Sequence, residues 1–517
     1  MTYPLVYEIN TRCWLQEMSA RQGRPVTLGE IPEGEFVRWQ ELGITHVWLM
    51  GAWSTGPRSR AVALDDSNLR AAAAALLPDA KDSDVTGSPF AVADYRVPHA
   101  WGGQNGLKAF RQQLHAHGLQ LLLDFVGNHL GLDHPWVIAR PELFVPGVPE
   151  SPAAFALDLP EGQRWLAHGK DPNFPAWMDT AQLDYRRLET HTAMRELFQQ
   201  IVPLCDGVRC DMAMLLLNDV FARTWESAPS ADSRTDREFW ADLIAATRQA
   251  TPEFLFFAEA YWDLEARLQA LGFDYAYDKR LCDHLIARNP ADVPRHLLGL
   301  TPQFLAASAH FLENHDEARI TTLLSGPEHR AAALLTLGLP GLRLLHEGQL
   351  TGARLPVPVQ LNRRPAEPMD LEIAELYTTL LKTLKSTAVG QGSGTLRTPR
   401  SAWPGNESWQ NLAVVQWQSE AEAFDLVVVN FAPERSQGYV PLAIEGLSQH
   451  NWRMKDRLGA EEYLRYGDDL QNQGLYLDVV GHGAQLFVFL RQACGAAKSQ
   501  RDRLEAGLAQ APGSGPG

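Results

Sequence analysis

Short runs of apolar and β-branched residues punctuate the first 350 positions. They read LVYEIN (5–10), THVWLM (45–50), LQLLLDFV (119–126), DGVRCD (206–211), EFLFFAE (253–259), FDYAYD (273–278), AHFLENHD (309–316) and LRLLHE (342–347). Helix-patterned stretches lie between most of them, such as LKAFRQQLHAHG after Gly106. Apolar strands alternating with helices belong to parallel sheets buried on both faces. Eight runs match the strand number of a (β/α)8 barrel, although a doubly wound sheet can use eight strands too. Polar residues tilt the choice. Asn10, Asp124, Asp211, Glu259 and Asp316 fall at the C-terminal ends of different runs, and that end of a barrel carries the active site. The predicted class is α/β, a (β/α)8 TIM barrel with attachments.

Two connections are too long for plain βα loops. One runs from about Met50 to Leu119 and holds an Ala-rich stretch, RAAAAALL. The other runs from about His129 to Asp184 and is rich in Pro, Gly and Trp. It reads as a small subdomain, about 130–184, inserted over the barrel mouth. After about Thr387 the pattern changes. GQGSGT (390–395) reads as a linker, and LAVVQWQ, FDLVVVNFAP, QGYVPLAI and GAQLFVFL alternate with period 2 between turn residues. That pattern predicts an antiparallel β-sandwich. The expected organisation is a barrel over 1–390, a C-terminal sandwich over 391–492 and a flexible Ala/Gly/Pro-rich tail over 493–517.

With 517 residues, 45% apolar and 21% charged, the chain can bury a sizeable core. Its formal net charge of −16 repels nucleic acid and anionic membranes, and no dense Lys/Arg cluster overrides it. No apolar stretch of about 20 residues predicts a membrane span. The start, MTYPLVYEINTRCW, lacks a basic n-region, an apolar h-region and a cleavage site, so a cytoplasmic protein is expected. The five cysteines, Cys13, Cys205, Cys210, Cys282 and Cys494, are widely spaced without a CxxC. Reduced, mostly buried thiols are expected.

In GVRCD (207–211) a strand points Arg209 and Asp211 into the barrel and Val208 and Cys210 outward. An arginine beside a carboxylate keeps it ionised, as a nucleophile requires, but the same pair serves equally as a structural ion pair. FFAEAYW (256–262) ends an apolar run with Glu259, where desolvation suits a general acid; a plain strand-end carboxylate is the alternative. ENHDE (313–317) supplies carboxylates, an amide and an imidazole, and His315 and Asp316 can grip neighbouring sugar hydroxyls; a solvated loop is the duller reading. DFVGNH (124–129) places Asp124, Asn128 and His129 at another strand end, as a site or as a brace of the barrel rim. HEGQL (346–350) lacks the second histidine of a zinc protease, and GQGSGT lacks the Lys-Ser/Thr of a phosphate loop. Most of the fifteen tryptophans belong to the core; Trp53, Trp136, Trp177 and Trp262 are the candidates for the cleft.

Three carboxylates on separate strand ends match glycoside hydrolysis by two carboxylates and a supporting third. DFVGNH, GVRCD, FFAEA and ENHD, in that order, resemble the signature regions of the alpha-amylase family of glycoside hydrolases and transglycosidases. SPFAVADY (88–95) and LPGLRLLHEG (339–348) resemble two further family regions, and the likeness spans about residues 4–390. The resemblance implies that Asp211 is the nucleophile, Glu259 the acid/base and Asp316 the third carboxylate. It implies that Arg209 orients Asp211, that His129 and His315 contact the sugar in the −1 subsite, and that Asp124 supports the cluster. Phe90 stands where the family usually has a stacking tyrosine. Met214 and Leu215 replace a basic residue and a histidine that serve an acceptor subsite and lend a carbonyl to calcium. The expected partner is an alpha-glucan or maltooligosaccharide, with no cofactor and no structural metal, and neither nucleic acid nor membrane as partner. Hydrolysis is expected ahead of glucosyl transfer, and a non-catalytic binding relative is disfavoured because all three carboxylates are kept.

Overall fold

Each apolar run forms a strand, and the eight strands close into one parallel barrel. The chain is a computed structural model describing residues 2–160, 162–228, 237–420 and 423–492. Its barrel strands are β1 (Leu5–Asn10), β2 (His46–Met50), β3 (Gln120–Val126), β4 (Gly207–Asp211), β5 (Leu255–Ala258), β6 (Tyr275–Tyr277), β7 (Ser308–His310) and β8 (Leu342–His346). Consecutive strands are neighbours, and β8 returns to pair with β1, Leu5 opposite Arg343 and Glu8 opposite His346. That closure removes both sheet edges and excludes the doubly wound alternative.

Period-2 alternation sorts the side chains into two cores. Tyr7 and Ile9, Val47 and Leu49, and Val208 and Cys210 point outward and join helix residues such as Phe110 and Leu243. Val6, Trp48, Leu122, Phe257 and Leu342 fill a separate core inside the barrel. Burying one such side chain is worth about 1.5–3 kcal/mol, so a one-residue slip, which would exchange the two sets, is strongly opposed. Further along the same inward faces the residues turn polar: Glu8, Asp124, Arg209 and Asp211, all buried.

Two strands stop before the candidate site residues that end their sequence runs. β7 stops at His310 and β5 at Ala258. Glu259 is therefore the first residue beyond its strand, and ENHDE lies on a loop. There the Asn314 side chain accepts from the amides of Asp316 and Glu317, an Asx-type turn that takes the backbone out of the ladder.

The connection after β2 builds two helices, α1 (Pro57–Asp65) and α2 (Ser67–Leu76). Asp66 caps α2 by accepting from the amides of Asn68 and Leu69, and the Ala-rich stretch is its body. The connection between β3 and β4 carries antiparallel pairs: His129–Gly131 with Thr180–Gln182, and Ala154–Leu159 with Gly162–Ala167.

The C-terminal part contains β9 (Ser393–Arg397), β10 (Leu412–Glu420), β11 (Ala423–Asn430), β12 (Ser436–Val440), β13 (Asn451–Asp456), β14 (Glu462–Tyr466), β15 (Leu475–Val479) and β16 (Ala484–Gln492). They form an antiparallel six-stranded sheet, β9-β10-β11-β16-β13-β14, and a pair, β12-β15. Ala413, Val415, Trp417, Val427 and Val429 face the barrel's core. Val414, Leu426 and Val428 face Val440, Leu475 and Leu477 of the pair. The predicted linker is shorter than GQGSGT, because Ser393 already opens β9. Gly390 is required there: its φ is +76°, and a Cβ would sit 2.4 Å from an Arg343 guanidinium nitrogen. The tail over 493–517, with Cys494, lies outside the described residues; Cys13, Cys205, Cys210 and Cys282 are free and buried. Among the described residues no helix is long and apolar enough to cross a membrane.

Candidate active site

The strand ends of β3, β4 and β5 meet around one guanidinium. Arg209 is 1% exposed. It donates to Asp211 Oδ1 at 2.6 Å, reaches Glu259 Oε2 at 2.7 Å, and lies 4.0 Å from Asp124. Its flat face rests between the rings of Trp48 (5.4 Å) and Phe90 (5.3 Å). The strand register produces this layer, since Arg209 pairs with Asp124 on one side and Phe257 on the other. Asp124 is itself fixed by Trp48 Nε1 at 3.1 Å and the Gly51 amide at 2.7 Å.

One cation faces three buried carboxylates, so they do not share it equally. Burial pushes Glu259 up to about 7, with Asp211 and Asp316 adding and Arg209 opposing. Burial likewise raises Asp124 to about 6 against the pull of Arg209. Arg209 is held well above its ordinary value, because Glu259 and its other partners outweigh burial. A carboxyl raised to near neutrality can give up a proton at neutral pH. Glu259 is also oriented: it accepts from the Met212 amide at 2.5 Å and from the Tyr261 hydroxyl at 3.0 Å. Met212 has φ +42°, a left-handed conformation rarely used by a side-chain-bearing residue, directly after Asp211.

His315 forms a second arm. Its Nδ1 contacts Glu8 Oε1 and its Nε2 lies 3.1 Å from Asp316 Oδ2. Both ring nitrogens face carboxylates, which is the surrounding of an imidazolium. Burial alone would lower its pKa, but Asp316 and Glu8 outweigh it and raise it well above the ordinary value. Burial would raise Asp316; His315 reverses this and brings it to about 2. The Phe90 ring stacks on His315 at 5.3 Å. His129 is buried, which lowers its pKa, and packs 4.9 Å from Trp177.

A cavity of about 440 Å³ opens above this layer. Phe90, His129, Asp211, Glu259 and Asp316 line it, as does Trp177. Arg209, Asp124 and the His315 side chain lie buried beneath. Trp53 is instead a core residue, fully buried and donating to the Asp124 carbonyl. Trp136 packs on His134 and Arg140 in the insertion, and Trp262 is 40% exposed. Sequence reasoning passed over Glu8 and Tyr261. Glu8 left a signal: a charge inside an apolar strand, on the face of Val6, must find a partner.

The usual calcium site of the resembled family draws on the residue that Asn128 matches; no structural metal is expected here, and the residues present do not fit one. Calcium takes about six to eight oxygen ligands. Here Asn128 and Gln182 bond each other's side chains. Both oxygens of buried Asp184 accept from Arg186, at 2.7 and 2.8 Å, with Arg187 3.7 Å away. Guanidinium groups supply the positive charge there. Among the described residues no cluster of three or more His, Cys, Asp or Glu side chains can hold a metal ion.

A closed barrel with carboxylates gathered on separate strand ends defines a protein of the glycoside-hydrolase layout. No family model matches the chain. It is 24% identical over 275 residues to the alpha-amylase MalA of Haloarcula japonica, covering 50% of this chain and 36% of that protein. It is 22% identical over 297 residues to alpha-amylase 3 of Dictyoglomus thermophilum, covering 53% and 56%. The chain thus spans between about a third and just over half of the length of these curated relatives. In fold it is similar to the maltogenic alpha-amylase AmyB of Thermotoga neapolitana, with a TM-score of 0.64 at 18% identity over 94% of this chain and 98% of that one. In sequence the chain is thus similar to alpha-amylases over about half its length, and in fold over nearly all of it.

Proposed function

We propose that this protein is a retaining glycoside hydrolase that cleaves α-glucosidic bonds of oligo- or polysaccharides through a covalent glycosyl-enzyme intermediate. The observation that carries the reading is the shared guanidinium: Arg209 grips Asp211 and Glu259 together, while burial leaves Glu259 protonated up to about neutral pH. In the first step an Asp211 oxygen attacks the anomeric carbon. The glycosidic C–O bond breaks as Glu259 gives its proton to the leaving oxygen. In the second step Glu259 takes a proton from water, the water oxygen attacks the same carbon, and the Asp211 ester is released. Two inversions give the α product. Asp316 and His129 bind sugar hydroxyls, His315 holds Asp316 in place, Phe90 stacks under the ring, and Asp124 braces Arg209.

Hydrolysis is proposed ahead of transfer; the same three carboxylates serve both reactions. Met214 and Leu215, in a 3-10 turn over Ala213–Leu216, are buried and apolar. Substrate is the only partner proposed, and four free buried thiols suit a reducing cytoplasm. The test is NMR of fresh products from maltooligosaccharides, with and without added acceptor sugar. An α anomer and free reducing sugar are expected. A β anomer at first release contradicts the mechanism, and dominant longer products with acceptor make it a transglycosidase.

A further inference from the structure

We infer that the protein works from the non-reducing ends of its substrate chains, because helices α1 and α2 close the pocket on the side of the retained sugar. The inference rests on the glycosidase reading above. Glu259 must face the leaving oxygen, so the departing part of the chain lies on the β5 side of the mouth. The retained part then points across the ring towards β1, β2 and β8, which are adjacent in the barrel. That sector is occupied. Val62, Asp66 and Leu69 of the α1–α2 pair, with Val359 and Gln360 from the segment after β8, line the pocket.

This wall is a fixed part of the fold. Ala63 and Ala73 share a small core with Leu77, Val85 and Leu361. The Thr86 amide donates to the Gln360 carbonyl and the Asn362 amide to the Asp84 carbonyl, both at 2.9 Å. Arg363 ties the segment after β8 to Asp79 at 3.0 Å and Asp84 at 2.8 Å. At its other end α1 is fastened to the insertion: Ser59 Oγ donates to Asp179 at 2.7 Å, and the Arg58 amide to Asp133 at 2.8 Å. The fit leaves no slack, since a Cβ on Gly56 would lie 2.0 Å from Asp133 and one on Gly87 2.6 Å from Ser59. The wall thus runs unbroken from the insertion after β3 to the segment after β8.

An internal segment of a polymer must leave the site in both directions, and a wall on one side forbids that. A pocket of about 440 Å³ falls in the range of roughly 300–1,000 Å³ typical of sites that enclose one small ligand. It takes a chain end a few sugar units long. Asp66 brings a carboxylate to which a terminal hydroxyl can donate.

The test compares two aryl maltoheptaosides, one free and one carrying a 4,6-ethylidene block at the non-reducing end, and adds a cyclodextrin, which has no ends. With the full chain, the blocked sugar should be cleaved roughly a hundredfold or more slowly than the free one, and the cyclodextrin left intact. Comparable cleavage of free and blocked sugars, or rapid opening of the cyclodextrin, overturns the inference and leaves the glycosidase reading standing. Cleavage of none of them overturns that reading and the inference with it. Arg363→Ala loosens the wall from outside the pocket. In a variant shown by melting to be folded, the blocked-to-free ratio should rise about tenfold, and an unchanged ratio argues against the wall as the cause.

Discussion

Two arginines are buried in strands of the same barrel, and their surroundings are opposite. Arg209, on β4, sits at the mouth among Asp124, Asp211 and Glu259. Arg343, near the start of β8, sits at the other end, where its guanidinium donates to the carbonyls of Tyr3 at 3.0 Å and Leu337 at 3.4 Å. Burial pulls Arg343 down to about 10, whereas the carboxylates hold Arg209 well above its ordinary value. Arg343 is a staple: it fixes the N-terminal segment and leaves room for the backbone only at Gly390. Arg209 gathers the carboxylates that the proposed reaction would use. The barrel thus separates chemistry at the C-terminal ends of its strands from stability at the other.

The largest effects are expected among the partners of Arg209. Asp211→Asn should lower kcat by about 10⁴-fold or more. Glu259→Gln should lower it by about 10²–10⁴-fold on natural sugars, with much of the loss recovered on aryl glucosides whose leaving group needs no proton. Equal losses on those glucosides would contradict the two roles.

The contrast between the arginines is sharpened by removing each. Arg209→Met leaves buried carboxylates facing one another. It should lower kcat by about 10²–10³-fold and stability by about 3–5 kcal/mol. Arg343→Met leaves carbonyls unpaired and should cost about 1–3 kcal/mol, read by denaturant titration, with kcat within about twofold because stability and chemistry are separated. A folded Arg343→Met protein as inactive as the Arg209 variant would break the comparison.

Dependence on pH follows from Glu259. As the proposed acid it must be protonated, so kcat/KM should hold below pH 7 and fall as the pH rises through about 7. That limb should vanish in Glu259→Gln on activated glucosides. Glu8→Gln removes one of the two carboxylates facing His315, and the imidazolium pKa should fall. The ratio of activity at pH 8 to that at pH 6 should then drop below that of the unaltered protein; an equal ratio would remove Glu8 from the site.

The smallest effect expected is that of metal removal. With Arg186 on Asp184, melting in EDTA and in added calcium should agree within about 2 °C. A gap of many degrees would mean that a calcium site forms there after all.

Much of this was legible in the residues. The eight apolar runs needed only local periodicity, because a strand buried on both faces is mostly apolar and admits a charge only where that charge finds a partner. GVRCD, FFAEA, ENHD and DFVGNH marked the candidate site because charge at a strand end is conspicuous after an apolar run. The linker was misjudged at Ser393, since edge strands such as β9 are half-exposed and lack the apolar pattern of central ones.

What the chain alone determined is therefore the barrel, the inward and outward faces and the carboxylates gathered at one rim. These depend on spacings of a few residues. Tertiary structure decided which charges meet across the fold. Glu8 lies 307 positions from His315, and Arg363 279 from Asp84. No periodicity encodes such distances. They are fixed when the barrel closes and when the α1–α2 pair is caught between the insertion and the segment after β8, because only then does one buried charge find its partner.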